Sequence, residues 1–426
     1  MSNKTKATTM KDVAKPSLVP KLRFPKFRGA AAWSLESGDS LFDQINDRNP
    51  EPGLPILAIT QEHGAIPRHM IDYNVSVTEK SIASYKVVRV GDFIISLRSF
   101  QGGIEYSRYD GICSPAYVIL RRRREGSNEY FKQYLKTDRF IRILTKNLEG
   151  LRDGKMISYA QFSELILPVP QPAEQKKIAE CLISLDELMA AQARKVDALK
   201  THKRGLMQQL FPQKGATQPR LRFPEFQNAE AWVSDSLGNI FETTSGGTPS
   251  RSEKAYWNGD VPWITTSLVD FRIVTNAEEF ITAEGLKNSS AKLLPKGTVL
   301  MAMYGQGKTR GQVALLGIKA ATNQACAAIL PRKGIDSYFV FLNLAGRYEE
   351  IREMSNSGGQ ENLSQGLVRE IQFAFPPSED EQRKVTACLS SLDALIAAEI
   401  QKLEALKTHK KGLMQQLFPA LEEVEP

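Results

Sequence analysis

A 38-residue segment is written twice in this chain, and an internal repeat of that length makes the fold a matter of two related halves. Gln175–Pro212 aligns without a gap on Gln382–Pro419, an offset of 207, with 25 identities in the 38 positions. Ala198-Leu-Lys-Thr-His-Lys203 returns as Ala405-Leu-Lys-Thr-His-Lys410, and Gly205–Pro212 returns unchanged as Gly412–Pro419. A shorter motif, Leu22-Arg-Phe-Pro-Lys-Phe27, recurs as Leu221-Arg-Phe-Pro-Glu-Phe226 at an offset of 199, which Trp33/Trp232 and Phe42/Phe241 keep. The order is opening motif, variable block, long repeated segment, then all three again. The change of offset places a net insertion of eight residues in the second variable block.

The repeated segment has the period of a helix with one apolar seam. Ile178, Leu182, Leu185, Met189, Gln192, Val196, Leu199, Lys203, Leu206 and Leu210 step by four and three, the spacing of a coiled coil. The second copy places Val385, Leu389, Leu392, Ile396, Glu399, Leu403, Leu406, Lys410, Leu413 and Leu417 on the same seam. Pro172 precedes the first helix, Pro376 and Pro377 precede the second, and Pro212 and Pro419 end them. Gly205 and Gly412 weaken the last turns. A helix of about 36 residues is roughly 50 Å long, too long to bury its stripe on one small block. The two copies are therefore expected to pack antiparallel on each other with pseudo-twofold symmetry. The polar seam positions Gln192/Glu399 and Lys203/Lys410 would help set register.

Between the repeats the pattern changes to short strands and turns. Val87–Ser96 and Leu293–Ala302 each read as strand, glycine turn, strand. Ala116–Leu120 and Ala325–Leu330 read as further strands, and helices follow near Tyr130–Leu144 and Tyr338–Met354. The expected fold class is α+β: two mixed globular blocks separated by two long antiparallel coiled-coil helices. The expected divisions are a basic flexible arm (1–21), a first block (22–170), a first spacer helix (171–212) and a linker (213–220). A second block (221–376), a second spacer helix (377–419) and an acidic tail (420–426) complete the chain.

The net charge of +8 invites a nucleic-acid partner, but its placement tempers that. Residues 1–32 carry +7, 33–165 carry +1, 166–231 carry +3, 232–372 carry none and 373–426 carry −3. The blocks themselves are near neutral. The sequence has no apolar run of membrane-spanning length, and its first 32 residues lack the apolar core of a secretory signal. Cys113, Cys181, Cys326 and Cys388 stand far apart with no CxxC, which fits a reducing cytoplasm and argues against a zinc module. His63, His69, His202 and His409 lack ligand spacing with them, so no metal is expected. Ala302-Met-Tyr-Gly-Gln-Gly-Lys-Thr309 ends like a phosphate-binding loop but has Ala where GxxxxGK[ST] requires Gly. No catalytic residues are expected.

The order of motifs resembles the specificity (S, or HsdS) subunit of type I restriction–modification enzymes, over nearly the whole chain. The resemblance rests on Gly246-Gly-Thr-Pro-Ser250 followed by Tyr256-Trp-Asn-Gly-Asp-Val-Pro-Trp-Ile264, and on Gly358-Gly-Gln-Glu-Asn-Leu-Ser364. It rests also on the first block's opening, Leu54–Gly64, and on the proline-rich closures Pro168–Gln175 and Phe375–Gln382. The first block departs from the pattern, with Leu148–Lys155 where the second has its Gly-Gly-Gln segment. The resemblance implies that the blocks are target recognition domains, each reading one half of an asymmetric, interrupted sequence in double-stranded DNA. It implies helices that space the blocks and dock two methyltransferase subunits, and two restriction/translocase subunits in the full complex. S-adenosylmethionine, ATP and Mg2+ would then sit on those partners. The alternative class is a coiled-coil scaffold whose duplicated blocks bind protein. A nucleotide-hydrolysing enzyme would rest only on the incomplete phosphate loop.

Base reading uses Arg and Lys for guanine and Asn and Gln for adenine. In or beside glycine turns and strand ends, the first block offers Arg98, Gln101, Arg121, Arg152 and Lys155. The second offers Lys254, Tyr304, Gln306, Lys308, Arg310, Asn323, Gln324, Gln360 and Asn362. The run Arg121–Arg124 is either a phosphate-tracking strip or a solvated strand end. His202 and His409, at matched helix positions, read as packing or partner-contact residues.

Overall fold

The computed structural model describes residues 18–71, 82, 84–123, 126–146, 157–305, 308–354 and 362–419. Two compact units result, and neither is a continuous stretch of chain. The first takes the chain through Gln192 and from Lys402 onward; the second is Ala193–Gln401. Both divisions fall inside a long helix. Each unit therefore holds one block, the opening half of that block's own helix and the closing half of the other helix.

The two long helices are Pro172–Leu210 and Glu379–Leu417, each of 39 residues. Pro172 is the first residue of its helix and not the residue before it, since a proline at that position sacrifices only an N–H that has no intrahelical acceptor. Gly205 and Gly412 lie within unbroken helix. In the second unit Lys195 meets Glu399 at 2.6 Å and Lys203 meets Asp393 at 2.6 Å. Rising numbers on one helix meet falling numbers on the other, so the halves run antiparallel. In the first unit Lys410 meets Asp186 at 2.7 Å. The seam lysines Lys203 and Lys410 are thus held by Asp393 and Asp186, which occupy matched positions of the repeat. Along the seam Ile178, Leu182, Val196, Leu210, Val385, Leu389, Ile396 and Leu417 are buried, and Leu185, Met189, Leu199, Leu206, Leu392, Leu403, Leu406 and Leu413 are half-buried. Gln192 is buried as well.

The opening motif clamps each helix to its block. Arg23 gives two hydrogen bonds, 2.8 and 2.7 Å, to the carboxylate of Glu174 in the first helical turn. It also donates to the carbonyls of Ala30 and Ala31. Arg222 repeats this on Glu381 at 2.7 Å twice, and on the carbonyls of Ala229 and Glu230. The backbone repeats too: Leu22 N–H donates to Gln416 O, and Leu221 N–H donates to Gln209 O. The chain is packed from Leu18, which is 3% exposed beneath Trp33, inside the span assigned to an arm. An apolar side chain at that place joins the core sooner than the charge pattern announces.

A two-stranded antiparallel frame closes each block, Ser34–Ser37 with Ile166–Val169 and Val233–Ser236 with Gln372–Phe375. Inside it the blocks diverge. The first has a four-stranded sheet in the order Phe42–Ile45, Val118–Arg122, Phe93–Ile95, Glu105–Tyr106. It also has two small pairs, Leu57–Thr60 with Gly64–Pro67 and Lys86–Val88 with Gly111–Cys113. Its core is aromatic, with Phe93, Phe131 and Phe162 edge-on to Phe42. The second has a five-stranded sheet, Thr243–Ser245, Cys326–Ile329, Val299–Ala302, Val313–Leu316, Ile273–Val274. A three-stranded sheet around Trp257–Ile264 lies beside it in the sequence. Gly91 and Gly297 make the expected turns with φ of 97° and 89°, but the strands flanking Gly91 pair with different partners and do not form a hairpin. Before Gly297 the structure has a single bridge, Leu294 with Ala320, where a strand is expected.

Candidate nucleic-acid interface

In the second unit, sheet topology gathers the loops. The Val299–Ala302 strand runs antiparallel to both Val313–Leu316 and Cys326–Ile329, with Ala302 opposite Cys326. The segments after Ala302 and before Cys326 therefore leave the same end of the sheet. Met303 N–H donates to Ala325 O, and Leu363 N–H donates to Met303 O. The Gly-Gly-Thr-Pro-Ser motif lies against the same loop, with Gly247 N–H donating to Thr322 O at 2.8 Å and Thr248 bonding the Gln324 side chain. A Cβ on Gly246 would stand 2.1 Å from Thr322 O and 2.3 Å from Asn323 O. Glycine is needed there because two backbones touch. We expect Gly246→Ala to cost roughly 1–3 kcal/mol through forced backbone displacement. Urea denaturation with hydrogen exchange at residues 321–328 measures it, and unchanged protection there would refute the tight fit.

Of the second block's candidates, Tyr304, Asn323, Gln324 and Asn362 come together at this sheet end. Tyr304 is 43% exposed, Gln324 and Lys308 are exposed, and Asn323 and Asn362 are half-buried. Asn323 Oδ1 accepts from Ala325 N–H. Arg310 is buried. Lys254 is exposed on the short turn Lys254–Tyr256, joined to the cluster by no described hydrogen bond. Gln306 and Gln360 lie outside the described residues. The segment resembling a phosphate loop leads from strand to strand, Val299–Ala302 to Val313–Leu316, whereas a phosphate-binding loop opens a helix. Arg251, absent from the candidates, lies 3.8 Å from the Trp257 ring centroid and 5.0 Å from that of Trp263. Only the fold shows that both rings of the Tyr256–Ile264 motif face one guanidinium.

In the first unit Arg98 and Gln101 are exposed on and beside the turn Ser99–Gly102. The Arg98 carbonyl accepts from Gln61 Nε2 at 3.1 Å, which ties that turn to the tip of the Leu57–Pro67 hairpin. Arg121 grips the buried carboxylate of Asp92 with bonds of 2.7 and 2.8 Å, and that hydrogen bonding raises its pKa. Arg122 lies 4.3 Å from the Phe131 ring centroid, where burial lowers its pKa. Arg123 pairs with Asp43. Arg121 and Arg122 take opposite faces of the strand, and Arg121, Arg122 and Arg123 are each held against protein groups. Arg124, Arg152, Lys155 and the whole of Leu148–Lys155 lie outside the described residues.

Beside the hairpin tip is a groove of about 1030 Å3 that no local stretch of sequence foretells. Its basic lining is Arg108, Lys132, Lys136, Arg139 and Arg142 from the block, with Lys407, Lys410 and Lys411 from the closing turns of the second helix. Glu62, Glu105, Asp138 and Asp186 are its acids. Burial raises the pKa of Glu105, and Lys136 beside it acts in the opposite direction. Net charge along the chain conceals the groove, because the three helix lysines belong to a stretch that is acidic as a whole. Among the described residues no helix is long and apolar enough to cross a membrane, and no cluster of His, Cys, Asp or Glu has metal-binding form.

A duplicated frame around two unlike α+β blocks, with two long helices whose halves pair antiparallel within each unit, defines the class as a tandem-repeat α+β protein. Residues 229–408 match the model of the type I restriction modification DNA specificity domain. The type I restriction enzyme MjaIX specificity subunit of Methanocaldococcus jannaschii is 29% identical over 192 residues, 44% of this chain and 44% of that protein. The EcoR124I/EcoR124II specificity subunit of Escherichia coli is 25% identical over 253 residues, 57% and 59% of the two chains. The matches thus span less than two thirds of either relative. The fold is also that of a chain solved in work on complex assembly and conformational transition of the type I restriction–modification system. The TM-score is 0.62 at 18% identity, over 91% of this chain and 97% of that one. The chain is thus similar to type I restriction–modification specificity subunits, in sequence most clearly over its second block and helix and in fold over nearly its whole length.

Proposed function

We propose that this chain is the DNA-specificity subunit of a type I restriction–modification complex and performs no catalytic step itself. Each block reads one half of an asymmetric, interrupted sequence in double-stranded DNA. The repeated helices dock two methyltransferase subunits, and two restriction/translocase subunits complete the restriction complex. S-adenosylmethionine, ATP and Mg2+ belong to those partners in this reading, and the complex works in the cytoplasm. The supporting observation is a repeated frame around two different blocks: the Arg–Glu clamps and closing strand pairs match, while the sheets and their loop ends do not. Identical frames with unlike readers suit a target whose halves differ, where a symmetric dimer would read a palindrome.

The base contacts proposed are Arg98 and Gln101 in the first block, and Lys254, Tyr304, Lys308, Asn323, Gln324 and Asn362 in the second. Exchanging residues 232–372 for those of another family member is expected to change one half-site and leave the other intact. Genome-wide adenine methylation mapping, with the partners expressed, reads this out. A change in both halves, or a methylation pattern indifferent to deletion of the gene, would sink the proposal.

A further inference from the structure

The basic groove of the first unit has no counterpart in the sequence motifs, and its electrostatics are unevenly satisfied. Lys136 pairs with Glu105, Lys410 with Asp186, Lys411 with Asp138 and Lys132 with Glu129. Arg139 donates to the Phe418 carbonyl. Arg108 and Arg142 are exposed, and neither has an acidic partner among the described residues. The groove also adjoins the turn that carries Arg98 and Gln101, through the Gln61 side chain. Eight Lys and Arg side chains against four carboxylates leave the groove with an excess of positive charge, and a concave surface with such an excess concentrates anions. Two unpaired arginines beside candidate base readers fit the phosphates that flank the bases being read.

We propose that this groove, with Arg108 and Arg142 as its main contacts, holds the sugar–phosphate backbone of duplex DNA without reading its sequence. The inference deepens the DNA-recognition reading and rests on it. Lys407 and Lys411 are exposed and ion-paired in solvent, where such pairs are weak, so phosphates can compete for both. The second spacer helix then acts in binding as well as in spacing, because its closing turns form one side of the groove.

The test uses the full chain in complex with its methyltransferase subunits. The probes are a duplex carrying the site found by methylation mapping and an equally long duplex lacking it. Each phosphate that the protein no longer neutralises lowers the steepness of log affinity against log salt by about 0.9. The double variant Arg108→Ala/Arg142→Ala is expected to lower it by about 2 on both duplexes, with their affinity ratio unchanged. Arg108→Lys/Arg142→Lys is expected to keep the wild-type slope, which separates charge from folding. Thermal melting checks that the alanine variant remains folded; both side chains are exposed. An unchanged slope overturns the assignment. A lower slope on the site-bearing duplex alone overturns it as well, by making these arginines base readers. Weakened subunit assembly at an unchanged slope would assign the groove to an acidic protein surface and overturn it too. If the wild-type complex prefers no interrupted sequence, the proposed function fails, while the slope on either duplex still decides the groove.

Discussion

Glu381→Ala is expected to destabilise the second unit by about 3–5 kcal/mol, because it breaks a buried ion pair from one side. The Glu381 carboxylate accepts two bonds from Arg222 and a third, 3.0 Å, from Trp232 Nε1. The side chains are 14% and 1% exposed for Arg222 and Glu381, and the hydrogen bonds to Glu381 raise the Arg222 pKa above its already high value. Removing the acid leaves the guanidinium without its counter-charge, bonded only to the Ala229 and Glu230 carbonyls, and the Trp232 indole N–H without its acceptor. Its place in the first helical turn adds a favourable interaction with the helix dipole. Arg222→Met/Glu381→Met is expected to recover most of the loss, since no charge is then left desolvated. Urea denaturation of the wild type, Glu381→Ala and the double Met variant decides the matter. A single-mutant cost below about 1 kcal/mol would class the pair with ordinary surface ion pairs. The equivalent Glu174→Ala is expected to cost less, because Trp33 Nε1 has no partner to lose.

Phe418→Ala is expected to destabilise the first unit by about 3–5 kcal/mol, the usual cost of deleting a buried ring. Phe418 is 1% exposed at the end of the second helix. Its ring centroid lies 5.6 Å from that of Tyr130 and 5.5 Å from that of Tyr134, within the core built by residues of the first block. The residue nearest the chain end among these thus completes a core whose other aromatic side chains come hundreds of residues earlier. Phe211, its repeat equivalent, lies 5.3 Å from Phe339 in the core of the second unit. Hydrogen exchange after Phe418→Ala should rise at residues 118–140 and stay unchanged at 326–344. Increased exchange confined to the second unit would contradict this packing. A uniform increase would mean that the units do not unfold independently.

Local periodicity accounts for what is legible in the sequence. The four-and-three spacing from Ile178 to Leu210 follows from helix geometry alone, so helix, seam and antiparallel pairing can be read without knowing any contact. The strand at Cys326–Ile329 and the helix at Ser337–Gly346 are legible for the same reason. The Gly-Gly-Thr-Pro-Ser motif is legible as a pattern, but not its cause: the approach of Gly246 to the Thr322 and Asn323 backbones depends on a loop 76 residues away. Arg121 and Arg310 show the opposite failure. By residue type they are candidates for DNA, and the fold turns one onto Asp92 and buries the other. Residue type states which contacts a side chain can make; its surroundings select among them.

By itself, then, the sequence determined the duplication, the two long helices, their seam and the family resemblance, because repeats and heptads are properties of order along the chain. Tertiary structure decided that Arg23 and Arg222 clamp the helices, that Phe418 belongs to the first core, and that lysines from the second helix share a groove with Arg108 and Arg142. Those are meetings between residues about 150 to 300 positions apart. Burial and charge act through distance in space, and chain order constrains that distance only after the fold has closed.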